Sequence, residues 1–236
     1  SDELLYELEC DGIVGEAYDD FVIIENGVDL TKTKAFKNGL FYIEDLSSYN
    51  CAKALKAKPD DIVLDMCSAP GGKAFTISQS MNDSGKIYCF DMYEHRLKLI
   101  EDSVKRLDIK NITTAVNDAA KYNEKLKKAD KILCDVPCSG FGIIRRKPEI
   151  RYKELDTVKD LPQIQYEILE TSSKYLKSGG NIIYSTCTLN KKENEKVVSK
   201  FLDDYKDFKL LEEKTVFPTP FGGDGFYYAL MRKNDD

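Results

Sequence analysis

The chain has 236 residues, of which 42% are hydrophobic and 32% charged, with 14 Gly and 7 Pro. This composition suits a globular chain of one large domain plus a small attachment, and it excludes collagen-like, low-complexity and largely disordered sequences. The formal net charge of −6 argues against a grip on nucleic acid spread over the whole surface. No apolar run approaches the ~20 residues that a bilayer-spanning helix needs, so no membrane partner is expected.

The charge is unevenly placed. Residues 1–60 carry 6 basic and 13 acidic side chains (net −7), and residues 61–236 carry 29 and 28 (net +1). The chain opens on Ser1 and its first methionine is Met66, which reads as a processed or trimmed chain missing an amino-terminal piece. No charged-then-apolar signal segment opens it. The seven cysteines are odd in number and not spaced as a disulfide framework. Cys67, Cys89 and Cys134 lie in or at the ends of apolar stretches, which points to reduced thiols and a cytoplasmic setting. With a single histidine, His95, and no Cys-x-x-Cys pair, no metal site is expected.

Taken in chain order, Phe21–Ile24, the turn residues Glu25-Asn26-Gly27 and Val28–Leu30 predict a β-hairpin. Leu40–Ile43 predicts a further strand and Leu46–Leu55 a helix, so residues 1–58 read as a small α+β cap. From 59 to 236 short β-rich runs alternate with amphipathic ones. Strands are expected at Ile62–Met66, Ile87–Phe90, Ile112–Val116, Lys131–Val136, Asn181–Thr186 and Phe226–Met231. Helices are expected at Lys73–Met81, Glu94–Leu107, Ile164–Leu176 (stopped by Gly179-Gly180) and Glu193–Leu202. The alternation implies an α/β fold, a mostly parallel sheet covered on both faces, with its ligand site beyond the carboxyl ends of the strands. The polar and unusual residues fall at those ends: Cys67–Lys73, Asp91, Asp118, Asp135–Gly140 and Cys187.

The loop Cys67-Ser68-Ala69-Pro70-Gly71-Gly72-Lys73 is not a Walker A loop, because Cys67 stands where its first glycine belongs and Ala74 where its Ser or Thr belongs. A glycine turn after one strand and a carboxylate, Asp91, closing the next fit a nucleoside cofactor instead. Cys138 follows Asp135-Val136-Pro137, and Cys187 follows Tyr184-Ser185-Thr186. Neighbouring parallel strands can bring two such thiols and a carboxylate to one sheet edge, which makes a nucleophilic site. Within Ile143–Lys153, five basic residues (Arg145, Arg146, Lys147, Arg151, Lys153) face one acid, Glu149, a phosphate-binding pattern just beyond the Pro-Cys strand. Phe141, Phe221 and Phe226 are candidate stacking aromatics.

Leu64-Asp65-Met66-Cys67-Ser68-Ala69-Pro70-Gly71-Gly72-Lys73, Asp135-Val136-Pro137-Cys138-Ser139-Gly140, Arg145-Arg146-Lys147-Pro148-Glu149 and Ser185-Thr186-Cys187-Thr188 resemble the Sun/Nop family of RNA (cytosine-5)-methyltransferases. The bacterial 16S rRNA methyltransferase B type is the nearest match, over roughly residues 36 to 233. Phe41-Tyr42-Ile43-Glu44-Asp45-Leu46-Ser47-Ser48 and Gly223-Asp224-Gly225-Phe226-Tyr227-Tyr228-Ala229 belong to the same resemblance. It implies a Rossmann-like class I methyltransferase fold with a seven-stranded sheet, S-adenosyl-L-methionine as cofactor, and a monomeric enzyme acting on RNA, rRNA favoured over tRNA.

It also implies roles. Cys67, Ser68, Ala69, Pro70, Gly71, Gly72 and Lys73 would wrap the cofactor. Asp91 would hold its ribose, Asp118 would lie by its adenine, and Asp135 would stand where cofactor and cytosine meet. Cys187 would be the nucleophile, with Lys73 in support, and Cys138 would assist product release. Arg145, Arg146, Lys147 and Arg151 would contact RNA. Two positions depart from the family pattern: Phe141 stands where a small polar residue is common, and Glu44 at a frequent Gln. There is no room for the helical amino-terminal RNA-binding domain of the B type. The competing reading from another class is an RNA-binding scaffold with a vestigial methyltransferase fold.

Overall fold

The computed structural model describes residues 2–18, 21–24, 28–219 and 223–235. The chain begins with α1 (Asp2–Cys10), β1 (Gly15–Tyr18), β2 (Phe21–Ile24), a 3-10 turn at Leu30–Lys32, the short α2 (Lys34–Lys37) and α3 (Leu46–Ala54). An alternating series follows: β3 (Ile62–Asp65), α4 (Gly72–Ser80), β4 (Lys86–Asp91), α5 (Glu94–Arg106), β5 (Ile112–Val116) and β6 (Ala129–Asp135). After two 3-10 turns come α6 (Leu161–Ser173), β7 (Leu176–Thr186), α7 (Glu195–Asp204), β8 (Phe208–Val216) and β9 (Phe226–Lys233).

The expected sheet forms, with seven strands in the order β5-β4-β3-β6-β7-β9-β8. The first five are mutually parallel, and β9 runs antiparallel between β7 and β8. Alternating side chains feed two cores, as the period of a strand requires. Leu64, Ile132, Cys134, Ile182 and Tyr184 pack on one face with Ile168, Leu169 and Phe201 of α6 and α7. Val63, Leu133, Ile183 and Tyr228 pack on the other with Cys51, Phe75, Ile77, Leu97 and Ile100 of α3, α4 and α5. Every strand in the centre is therefore apolar on both faces, and only its carboxyl end is free to carry chemistry.

The amino-terminal elements build a third, small cluster around Leu8, Ile13 and Ala35. Arg106 joins it to the main core: its guanidinium donates to the carbonyls of Phe36 (2.8 Å) and Phe41 (2.9 Å) and lies 3.7 Å from the Phe36 ring centroid.

Three expectations are corrected. Phe21–Ile24 pairs with Gly15–Tyr18, preceding it in the chain, rather than with Val28–Leu30; the predicted turn Glu25-Asn26-Gly27 lies outside the described residues. Val28 and Asp29 instead lead into the 3-10 turn, where the Asp29 carboxylate accepts from the Thr31 amide at 3.2 Å and caps it. Leu40–Ile43 forms no strand: Leu40 is a bend and Phe41–Ile43 adopt no regular secondary structure. Gly179 and Gly180 do not end α6, which stops at Ser173; they lie inside β7, Gly179 at φ +72, beside a register shift against β6. No helix among the described residues is long and apolar enough to cross a membrane.

Candidate active site

Five parallel strands end side by side, and each delivers one of the residues singled out from sequence: Asp118 beyond β5, Asp91 from β4, Asp65 and the Cys67–Lys73 loop from β3, Asp135 and Cys138 from β6, and Cys187 from β7. The loop after β3 turns sharply into α4. Gly71 takes φ +110, and a side chain there would come within 2.6 Å of the Phe75 ring, so only glycine fits. Beneath the loop, Asp65 is 1% exposed and neither of its carboxylate oxygens has a hydrogen-bond partner. Burial pushes its carboxyl up to about 7.

Lys73, in the first turn of α4, donates to Asp135 Oδ2 at 2.7 Å and to Ser48 Oγ at 3.2 Å. Burial is the largest single influence and would lower the Lys73 ammonium, but Asp135 together with Cys51 and Glu44 outweighs it and the net shift is upward. Asp135 Oδ1 accepts from Ser185 Oγ at 2.7 Å, so both of its oxygens act as acceptors. Glu44 lies on the other side of the loop, accepting from Thr76 Oγ1 at 2.5 Å, and burial pushes it up to about 7.

The two cysteines meet. Cys138 Sγ and Cys187 Sγ are 3.2 Å apart although 49 positions separate them. The hydrogen bond between the two sulfurs lowers Cys187 and raises Cys138 well above an ordinary thiol, so Cys187 is the more readily ionised of the two. Lys73 lowers Cys187 as well and Asp135 opposes it. Cys51, Cys67, Cys89 and Cys134 are driven upward by burial and are inert hydrophobes by comparison. Behind the pair, the Gly142 amide donates to the Cys187 carbonyl at 3.0 Å and the Gly225 amide donates to the Gly142 carbonyl at 2.9 Å. A Cβ on Gly142 would lie 1.9 Å from the Gly225 oxygen, so the approach of these loops depends on that glycine.

Other predicted residues are committed to local partners. Asp91 is 3% exposed, accepts from the Tyr93 amide at 3.1 Å and pairs with Arg96 at 3.0 Å. The same Arg96 donates to the Ala69 carbonyl at 2.9 Å, tying the β3 loop to the β4 end. Asp118 pairs with Lys121 at 2.9 Å, which lowers its carboxyl, while the neighbouring Asn117 Nδ2 is buried without a partner. Within the basic run, Arg145 and Arg146 reach buried Asp224, and Arg145 also donates to the Thr219 carbonyl at 3.0 Å. Lys153 donates to the Ser139 carbonyl at 2.8 Å. Lys147 and Arg151 are exposed. Phe226 is 2% exposed, with Lys73 Nζ 5.1 Å from its ring centroid, and so is not a surface stacking residue; Phe141 is half-buried and Phe221 lies outside the described residues.

Sequence reasoning missed Arg96 and Glu193, which carry no local signal; Ser48, Asp65, Ser185 and Asp224 stood inside quoted motifs without a role. Among the described residues, no group of three or more His, Cys, Asp or Glu is placed to hold a metal ion. A cavity of about 610 Å³ lies between the cap and α4, lined by Leu8, Phe21, Phe41, Phe75 and Leu107; it contains none of the cysteines.

This sheet order, with a glycine loop after the central strand and acidic residues on its neighbours, defines a Rossmann-like methyltransferase fold. A family model described as 16S rRNA methyltransferase RsmB/F matches residues 52–232, and the chain belongs to that family. It is 38% identical over 98% of its length to the probable ribosomal RNA small subunit methyltransferase B of Bacillus subtilis. It is 35% identical over 88% of its length to the tRNA (cytosine(72)-C(5))-methyltransferase of Pyrococcus horikoshii. The crystal structure of NSun6 from Pyrococcus horikoshii with SFG superposes with a TM-score of 0.81 over 89% of this chain and 57% of that one, at 33% identity. The chain spans 57% and 56% of the two sequence relatives, so it corresponds to little more than half of either.

Proposed function

We propose that this chain is the catalytic part of an S-adenosyl-L-methionine-dependent RNA (cytosine-5)-methyltransferase working through a covalent cysteine–cytosine intermediate, with 16S rRNA as the favoured substrate. Residues 59–236 are the catalytic domain in this reading and residues 1–58 its cap. The single observation carrying the proposal is the Cys138–Cys187 sulfur pair at 3.2 Å, beside the Lys73–Asp135 ion pair at 2.7 Å.

The residues fit the cofactor. Asp65, with two buried unpartnered oxygens, calls for a cationic or donor group at the β3 loop, and Asn117 Nδ2 calls for an acceptor beside β5. The Cys67–Lys73 loop would wrap the cofactor, Asp91 would hold its ribose hydroxyls, and Arg96 would keep that carboxylate aimed. When bound, the cofactor supplies an electrophilic methyl group on a sulfonium centre.

Carbon 5 of cytosine is a weak nucleophile until a thiolate adds to carbon 6 and makes the ring enamine-like. Cys187 supplies that thiolate. As the ring takes up negative charge, Asp135 holds the 4-amino group and Lys73 fixes the carboxylate from behind. After methylation the carbon-5 proton passes to solvent water acting as base, its electron pair closes the carbon 5–carbon 6 double bond, and the carbon 6–sulfur bond breaks to release Cys187 as a thiolate. The Cys138 thiol, protonated and in contact with the departing sulfur, donates a hydrogen bond to it and restores the resting pair. The base must leave the RNA stack to reach these groups, with Lys147 and Arg151 available to phosphates.

Cys187→Ala is expected to abolish methyl transfer from labelled S-adenosylmethionine to RNA while leaving cofactor affinity within about twofold; turnover by this variant would refute the nucleophile assignment. The tRNA reading rests on the 35% identity to the archaeal tRNA enzyme. Mapping 5-methylcytosine after reaction with rRNA and tRNA, separately and in competition, decides between them.

A further inference from the structure

Glu193 is fully buried in the run Lys191-Lys192-Glu193-Asn194, just ahead of α7. Its Oε2 accepts from the Ser139 amide at 2.8 Å and from Gln165 Nε2 at 3.0 Å; the same Gln165 nitrogen donates to the Pro137 carbonyl at 2.9 Å. The peptide groups on both sides of Cys138 are thus held through one carboxylate oxygen. The other oxygen, Oε1, accepts from Asn190 Nδ2 at 2.8 Å, and the Glu193 carbonyl accepts from Tyr184 OH at 2.5 Å. These bonds close the loop that follows Cys187. A direct bridge joins the residues after each cysteine, Ser139 Oγ to Thr188 Oγ1 at 2.8 Å.

We propose that Glu193 is a positioning residue that sets the placement of Cys138 against Cys187. The inference rests on the reading of these two thiols as the working pair, and it adds a residue that touches neither.

The chemistry requires a carboxylate. All three side-chain partners are donors, and their orientations are fixed elsewhere: Gln165 Nε2 also donates to Pro137, and Asn190 Oδ1 accepts from the Lys192 amide at 3.2 Å. A carboxylate accepts on both oxygens, whereas a glutamine would turn an NH₂ group toward at least one donor. Isolating a buried anion among neutral donors is costly, and a residue needed only for packing would not require it. Losing the tie leaves the Ser139–Thr188 bridge and the bond from the Gly142 amide to the Cys187 carbonyl, but it releases the peptide groups on both sides of Cys138 and so loosens the 3.2 Å sulfur contact that lowers Cys187.

The test uses the whole chain without RNA or cofactor. Rates of alkylation by iodoacetamide at Cys187 and Cys138 are followed by peptide mass spectrometry from pH 6 to 10. In the parent chain Cys187 reacts with the lower midpoint. Glu193→Gln is expected to raise the Cys187 midpoint by about one pH unit, which is about a tenfold slower reaction at neutral pH. Gln165→Leu leaves the carboxylate in place but removes the link to Pro137, and is expected to move the midpoint in the same direction by less. It also serves if Glu193→Gln fails to fold. An unchanged Cys187 midpoint in a folded Glu193→Gln or, failing that, in Gln165→Leu overturns the proposal. Because the readout needs no turnover, the two readings fail separately: a shifted midpoint in a chain that methylates no RNA refutes the function and keeps the positioning role.

Discussion

Asp65 offers the sharpest trade between stability and binding. Its carboxyl ordinarily titrates near 3.8 and is pushed up to about 7 in the fold by burial. Between those values the folded chain holds a proton that the unfolded chain has released, so stability falls as pH rises through this window and the loss is complete above 7. The full cost is about 4 kcal/mol, of which more than half falls between pH 5 and pH 8. Asp65→Asn removes the titration. The amide carries its own burial cost, but that cost does not change with pH and cancels when two pH values are compared. Glu44, which also titrates near 7, is common to both proteins and cancels too. The stability of Asp65→Asn relative to the parent should therefore rise by about 2–3 kcal/mol from pH 5 to pH 8, measured by urea denaturation without cofactor. In a thermal melt the difference between the proteins widens by about 5–10 °C. The variant should bind S-adenosylmethionine more weakly at both pH values. A stability difference that does not change between pH 5 and pH 8 would refute the claim that Asp65 is held against its own charge.

Three further outcomes follow from the same geometry. Arg96→Ala cuts the bridge between Asp91 and the Ala69 carbonyl, and calorimetric titration should show cofactor affinity reduced about tenfold, the effect of losing one charge-assisted contact. Arg146→Ala leaves buried Asp224 with only the more distant Arg145, at 3.8 Å; it should cost about 1–3 kcal/mol of stability, whereas Lys147→Ala, at an exposed position, should leave the melting temperature unchanged. Raising salt from 50 to 200 mM should raise the KM for RNA steeply while kcat stays nearly constant, because phosphate contacts are screened and the enclosed sulfur pair is not; a parallel fall in kcat would count against a locally activated thiol.

Much of the sheet was legible because central parallel strands are apolar runs with unmistakable ends, and the site lies at those ends. Asp91, Asp135, Cys138 and Cys187 declare themselves by closing such runs, whereas Asp65, one residue short of the end of its predicted strand, does not. The errors have physical causes. Gly15–Tyr18 contains Gly, Glu and Ala and has no strand signature, so Phe21–Ile24 was paired with the nearer apolar stretch across a turn signal. The edge strand Phe208–Val216 is mostly exposed and lacks alternation, which hid it. The ion pairs of Arg145 and Arg146 were hidden because their partner, Asp224, is more than seventy residues away. Glu193 stands among lysines and asparagine, a pattern that reads as solvent-facing; only the fold buries it.

Which sulfur carries the charge follows from competing neighbours. Lys73 is the obvious cation, but its ammonium is bound to Asp135 at 2.7 Å, and the two push Cys187 in opposite directions. A neutralised pair cannot be the main source of a thiolate, and burial works against one. The remaining group is the Cys138 thiol, whose hydrogen bond is the strongest influence on Cys187. In the proposed mechanism Cys138 would therefore act before the reaction as well as after it, first stabilising charge on Cys187 and later donating to the same sulfur as it leaves. The acidic balance of the chain does not oppose this chemistry, since the excess lies within residues 1–60 and the group in contact with Cys187 is a neutral donor. On that proposal the second cysteine is required by the activation of the first, and the loop contacts that hold the two together would matter to the reaction as much as the thiols do.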